Sequence, residues 1–276
     1  MPTRYRRAFI EITNRCNLTC SFCARSERPP RDMSPEEFRL VAAQVKPLAA
    51  GVFLHVLGEP MLHPEFPAIL SASSELGLKV TLVTNGTLID RFSPGIFSEP
   101  CLAQVSPSLQ ALSALPPERR EEALEKLIAF ARARPPGLIV VFRLRGADDP
   151  FSLAARSALL ASFPGYAPDP GKRRLKLAEN TFFAGGGLFG WPGSGPGSGK
   201  KSCLGLRHHF AVLSDLRVAP CCIDCDGAMA LGDLREKTLA EALSSPAAAA
   251  LRASIAGRGT MPAHCAGCGF NAMSDE

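Results

Sequence analysis

The chain has 276 residues, 46% hydrophobic and 21% charged, with a formal net charge of +5. That is enough for one large α/β domain or for a large domain and a small one, with ample material for a core. The pattern excludes several classes: no apolar run is long enough to span a bilayer, and the mild positive balance makes no case for nucleic acid. The basic residues 1–7 lead into a short strand-like segment without the apolar stretch and cleavage site of a signal peptide, so the cytoplasm is the expected compartment. Ten cysteines in a reducing compartment point to metal ligation rather than a disulfide framework. They fall in groups: Cys16, Cys20 and Cys23; Cys221, Cys222 and Cys225; Cys265 and Cys268; with Cys101 and Cys203 alone.

The predicted elements alternate along the chain. Residues 7–13 read as a strand that delivers the chain into the first cysteine group. Ser34 then caps a helix, with Pro35 at its first position and Glu37 closing a capping box, and this helix should run to about residue 46. Residues 52–57 form a buried-type strand ending at Gly58-Glu59-Pro60. A helix over about 64–76 stops at Gly77, and residues 79–84 make a third strand ending at Asn85-Gly86. A fourth strand follows over 103–106 or 103–108, then an amphipathic helix over 116–134, a fifth strand over 138–144, a helix over 152–163 and a sixth strand near 174–177. Strands alternating with helices predict an α/β class with a parallel sheet, and the polar and glycine-bearing turns fall at strand C-terminal ends, where barrel sites lie. An open, partial (βα)6 TIM-like barrel over residues 1–184 fits this length. Residues 185–200, rich in Gly, Ser and Pro, read as a linker or as a loop over the substrate that carries Trp191. Residues 201–276 read as a small cysteine-rich domain: a hairpin (209–213 with 217–219), then short helices near 239–243 and 247–255. A metal staple suits a core of that size.

Three thiolates on a short loop can hold three corners of a four-iron cluster and leave one iron open. The run Cys16-Asn17-Leu18-Thr19-Cys20-Ser21-Phe22-Cys23, with aromatic Phe22 before the last ligand, resembles the signature of the radical S-adenosylmethionine (SAM) superfamily. The resemblance implies a [4Fe-4S] cluster on Cys16, Cys20 and Cys23, whose open iron is chelated by the amino and carboxylate groups of SAM. It implies reductive cleavage of SAM to a 5′-deoxyadenosyl radical that takes hydrogen from a substrate. Zinc is the bland alternative for such a loop, although structural zinc sites are normally closed by four ligands.

Further motifs extend the likeness. Gly58-Glu59-Pro60 resembles the superfamily's glycine-rich SAM-binding stretch, with Leu57 where a second glycine is usual. Thr84-Asn85-Gly86 resembles its turn after the third strand, Ser108-Leu109 a step that contacts ribose or carboxylate, and Arg143 a forked donor to the SAM carboxylate. Asn85 also reads as a turn residue, and a structural role suits Ser108 and Arg143 equally. The C-terminal residues resemble the SPASM or shorter "twitch" auxiliary-cluster domain. The match covers residues 214–221, with Leu216 where glycine is usual, then Leu231-Gly232-Asp233-Leu234 and residues 265–270. On that likeness Cys203, Cys221, Cys265 and Cys268 saturate one auxiliary [4Fe-4S] cluster, while Cys222 and Cys225 are alternative ligands or bystanders. A zinc ribbon is the competing reading of the same four cysteines. The five histidines read as packing or surface residues, Asp224 and Asp226 as turn formers or as a base near the auxiliary cluster, and no residue is singled out as the catalytic base.

Together these likenesses imply an oxidoreductase or maturase. A flavodoxin- or ferredoxin-like protein supplies one electron, SAM supplies the radical, and the auxiliary cluster accepts the electron left on the substrate. The implied substrate is a small polyol or aminocyclitol, favoured by the chain's shortness, the single auxiliary cluster and the lack of an added peptide-recognition domain. The alternative is a ribosomally made precursor peptide, and an alternative of another class is a non-catalytic iron–sulfur or zinc scaffold. No nucleic-acid or membrane partner is expected.

Overall fold

The computed structural model describes residues 5–24, 26–146, 149–164, 174–192 and 203–270. Its strands in chain order are β1 (Arg7–Ile10), β2 (Val52–Leu54), β3 (Val80–Thr84), β4 (Leu102–Pro107), β5 (Ile139–Arg145), β6 (Arg174–Ala178), β7 (Thr181–Gly186), β8 (His209–Val212), β9 (Arg217–Ala219) and β10 (Gly232–Asp233). The helices are α1 (Pro35–Val45), α2 (Phe66–Glu75), α3 (Pro117–Ala133), α4 (Pro150–Ala161), α5 (Leu239–Leu243), α6 (Pro246–Ile255) and α7 (Ala263–Ala266). They fall into two compact units, one of Met1–Arg15, Ala24–Gly58 and Phe189–Glu276, the other of Cys16–Cys23 and Glu59–Leu188. Among the described residues no helix is long and apolar enough to cross a membrane.

In the first unit β1 pairs in parallel with β2 on one side and with β8 on the other, Ala8 lying opposite both Val52 and Phe210. β8, β9 and β10 continue as an antiparallel meander. The cysteine-rich end of the chain is thus built onto the N-terminal strand. α1 begins as its sequence requires: the Ser34 hydroxyl accepts from the Glu37 N–H, the Glu37 carboxylate accepts from the Ser34 N–H, and Pro35 occupies the first turn. Phe38, Val41, Ala42 and Val45 form its buried stripe, at the 3–4 spacing of one helical face. The turn between β8 and β9 places Leu216 at φ 69°, the left-handed region that a glycine enters without strain. Leucine at the usual glycine position therefore keeps the turn, at a conformational cost, while burying its side chain to 7% exposure.

In the second unit β3, β4 and β5 are parallel neighbours, with α3 between β4 and β5 in sequence. The next parallel neighbour of β5 differs from expectation. Residues 174–177 do form a strand, β6, but it runs antiparallel to β7 at the edge, and β7 is the strand that pairs in parallel with β5. Gly185 and Gly186, expected in a flexible connection, lie opposite Leu144 and Arg145 as the last residues of that pairing. Of the expected linker, residues 193–200 lie outside the described residues.

Candidate metal and cofactor site

The first cysteine group lies in the second unit. Cys16 and Cys23 are exposed and Cys20 is half-buried. The Cys23 N–H donates to the Cys20 carbonyl at 3.2 Å, so the last two thiols share one bend. Burial, and then the like charge of Cys23 and Cys16, push the Cys20 thiol up to about 11. Three sulfurs that resist joint ionisation would need a metal to hold them all as thiolates, and a three-thiolate bend fits three irons of a cubane. No three His, Cys, Asp or Glu side chains among the described residues gather around one point as ligands of a single ion; a cubane instead offers each thiolate its own iron.

Other expected site residues of this unit meet at the C-terminal ends of β3, β4 and β5. Glu59 is 1% exposed. Its Oε1 accepts from the Thr84 hydroxyl (2.8 Å) and the Met61 N–H (3.0 Å), and its Oε2 from the Asn85 N–H (2.6 Å). Burial pushes its carboxyl above the ordinary value against the pull of these donors. The carboxylate thus ties Glu59 to the Thr84-Asn85-Gly86 turn, with Pro60 buried. The Ser108 N–H donates to the Thr84 carbonyl at 2.8 Å, and Ser108 faces Arg143 as a parallel bridge. Thr84, Asn85, Ser108 and Arg143 therefore share one end of the sheet. Phe22 is half-buried on the cysteine loop.

The reason for glycine at position 58 is clear in the first unit. Its φ is +74°, and a Cβ there would stand 2.4 Å from the Thr13 carbonyl oxygen and 2.8 Å from that of Arg15. The Gly58 backbone packs directly on the segment that leads into Cys16. That segment is fastened to residues 29–32: Thr13 Oγ1 donates to Asp32 (2.6 Å), Asn14 Nδ2 to the Pro29 carbonyl (2.9 Å), and the Arg31 N–H to Asn14 Oδ1 (2.7 Å). Just beyond the loop, Arg28 makes a forked pair with Glu11 (2.7 and 2.8 Å), with the two side chains 7% and 0% exposed. Glu11 also accepts from the N–H and hydroxyl of Ser214 in the β8–β9 turn. Sequence reasoning missed Glu11, Arg28 and Ser214. A lone carboxylate between Ile10 and Ile12 was the available signal, since a buried charge demands a partner.

The C-terminal cysteines of the first unit occupy a different environment. Cys222, Cys225 and Cys268 are buried in a cluster with Phe9, Val56, Leu57 and Ile223, and Cys221, Phe189, Trp191 and Phe270 pack against it. Trp191 and Phe270 each meet the Phe189 ring edge-on, at 5.0 and 5.1 Å. Cys203 accepts from the Gly205 N–H at 3.4 Å, and a Cβ on Gly205 would fall 3.5 Å from that sulfur and 3.4 Å from the Cys221 Cβ. Burial raises the Cys221 thiol well above its ordinary value, with Cys222 and Cys203 adding like charge. The Cys268 N–H donates to the Cys265 carbonyl at 3.2 Å, closing the last pair into a turn. Thiols gathered in an apolar setting suit a buried thiolate-bound cluster.

The model of the radical SAM superfamily matches residues 10–143, and that of an iron–sulfur cluster-binding (SPASM) domain matches residues 203–269. The chain carries a radical SAM domain and a SPASM domain. The radical SAM domain brings a [4Fe-4S] cluster and SAM, and the SPASM domain brings auxiliary iron–sulfur chemistry. Fe-coproporphyrin III synthase of Methanosarcina barkeri is 31% identical over 104 residues, 37% of this chain and 26% of that relative. The chain thus matches about a quarter of that relative's length. Among solved structures, BtrN in complex with AdoMet and 2-DOIA superposes with a TM-score of 0.59 at 15% identity, covering 97% of this chain and 94% of that one. Streptococcus suis SuiB bound to precursor peptide SuiA superposes with a TM-score of 0.62 at 14% identity, covering 91% and 67%. These likenesses assign the mixed α/β, partial TIM-like barrel fold of radical SAM proteins, with a cysteine-rich C-terminal region.

Proposed function

We propose that this radical SAM enzyme oxidises a small polyol or aminocyclitol. The observation that carries the reading is the composition of the two thiol sets: a group of three with Cys16 and Cys23 exposed, short of the four ligands that close a cluster, and a group of four, Cys203, Cys221, Cys265 and Cys268, none of which is exposed. Cys16, Cys20 and Cys23 are assigned to the SAM-binding cluster, and Cys203, Cys221, Cys265 and Cys268 to one auxiliary cluster. When bound, the first cluster and SAM together supply a 5′-deoxyadenosyl radical for hydrogen abstraction, and the auxiliary cluster supplies an acceptor for the remaining electron. The protein's own residues position the reaction. Gly58 allows close backbone approach, Glu59 fixes the Thr84-Asn85 turn, and Ser108 and Arg143 offer a hydroxyl and a forked cation to ribose and carboxylate. Phe22, half-buried beside Cys23, supplies an apolar neighbour to the loop. A flavodoxin- or ferredoxin-like protein in the cytoplasm is the proposed electron donor.

The small-substrate reading is supported by the fold likeness to BtrN, which was captured with 2-DOIA and is matched over 94% of its chain. A precursor peptide is the second reading, favoured by the higher TM-score to SuiB, captured with SuiA. Anaerobic reconstitution should load about eight irons per chain, and reduction with dithionite in the presence of SAM should release 5′-deoxyadenosine. Faster release with aminocyclitols than with peptides, together with a product two hydrogens lighter, is the expected result. No 5′-deoxyadenosine from the fully loaded protein would sink the enzymatic reading, and turnover of peptides alone would replace the substrate class.

A further inference from the structure

The turn after β3 holds a closed ring of side chains that has a cysteine sulfur at its edge. Asn85 Nδ2 donates to Asn17 Oδ1 (2.8 Å), Asn17 Nδ2 donates to Thr87 Oγ1 (2.8 Å), and the Thr87 hydroxyl donates to Asn85 Oδ1 (2.7 Å). The Thr87 backbone N–H, which can only donate, also meets Asn85 Oδ1 at 2.9 Å. That contact fixes which end of the amide is oxygen and which is nitrogen. The Asn85 backbone is held in turn by its N–H bond to buried Glu59. The amino group so aimed has two protons. One serves Asn17, and the group lies 3.8 Å from Cys16 Sγ.

We infer that Asn85 is a positioning residue for the first cluster: its amide donates an N–H···S hydrogen bond to the Cys16 thiolate and raises the cluster's reduction potential. The inference rests on the proposed reading that Cys16 ligates the cluster. A donor beside a ligating sulfur stabilises the more electron-rich, reduced cluster more than the oxidised one, and hydrogen bonds to sulfur are among the recognised determinants of cluster potential. Removing the donor should therefore lower the potential, and replacing it with a carboxylate should lower it further. Asn17 and Thr87 act through Asn85 by holding its amide in plane.

The test is an anaerobic redox titration of the reconstituted full chain, followed by electron paramagnetic resonance. The first cluster is identified by the change in its signal when SAM is added. Asn85→Ala and Asn85→Asp are compared with wild type at matched iron content. The expected order of midpoint potentials is wild type, then Asn85→Ala, then Asn85→Asp lowest, with the auxiliary signal unmoved. Equal midpoints in fully loaded variants would overturn the inference. If both variants fail to hold iron, Thr87→Val decides: it keeps Asn85 and removes one bond aiming its amide, so a lowered midpoint supports the inference and an unchanged one overturns it. Cys16→Ala tests the underlying reading separately, because retention of the SAM-responsive signal in that variant would remove Cys16 from the cluster whatever Asn85 does.

Discussion

The two cysteine regions solve opposite problems. The loop 16–23 keeps Cys16 and Cys23 exposed, with the Asn85 amide beside Cys16 and bonded in turn to Asn17, which bonds Thr87. Of the C-terminal thiols, Cys222, Cys225 and Cys268 sit among Phe9, Val56, Leu57 and Ile223, with Cys221 and the aromatic side chains of Phe189, Trp191 and Phe270 packed against them. A site that must admit a ligand needs access and polar neighbours; one that only passes electrons can be closed and dry. Cys16 and Cys23 are exposed, whereas none of the C-terminal thiols is, and the proposed roles follow that difference together with the number of thiols in each group.

The strongest way to break the contrast is Gly58→Ala. The new Cβ would press on the Thr13 and Arg15 carbonyls from a backbone already at positive φ. The expected outcome is loss of the first cluster and of SAM cleavage with the auxiliary cluster retained, read as a fall to about four irons per chain. Alkylation of the apoprotein sharpens the same contrast. Burial pushes the Cys225 thiol up to about 12, so at pH 8 almost none of it is thiolate. Exposed Cys16 and Cys23 should react with iodoacetamide at least about tenfold faster by peptide mass spectrometry, and the gap should narrow as pH rises toward 12. Arg28→Ala leaves Glu11 buried without its cation, a loss of about 3–5 kcal/mol measurable by denaturant unfolding of the apoprotein. Leu216→Gly is expected to matter least. It relieves about 1 kcal/mol of left-handed strain and removes roughly 2 kcal/mol of side-chain burial, so a net loss of about 1 kcal/mol is expected in the same unfolding experiment.

Local signals in the sequence were the reliable ones. The Ser34 cap, the stop at Gly77 and the strand leading into the Asn85 turn depend on neighbours in the chain, and they form as read, whereas the strand expected over 52–57 is shorter, Val52–Leu54, and the chain bends away before Gly58. Long-range pairing was not legible. Residues 181–186 carry a glycine pair that suggests flexibility, yet their backbone groups find partners in parallel β5 and become ordered strand. β6, expected as the sixth parallel strand, ends up antiparallel because the tight connection through Asn180, at φ 51°, folds the chain back on itself. Within the candidate site, the thiols, Glu59, Asn85, Ser108 and Arg143 were visible as motifs. The ring of Asn17, Asn85 and Thr87 was not, since it joins residues 70 apart through bonds that leave no periodic trace.

The fastening of residues 13–15 to residues 29–32 has a consequence for the life of the protein. Protein hydrogen bonds alone close the neck of the cysteine loop, so the entropy of drawing its ends together does not wait for iron. Small metallodomains whose metal is their core collapse when it leaves. The neck bonds here involve no metal, so the expected outcome of cluster loss to oxygen is a loop whose ends stay together and can be reloaded on the same molecule: damage would call for repair and not for resynthesis.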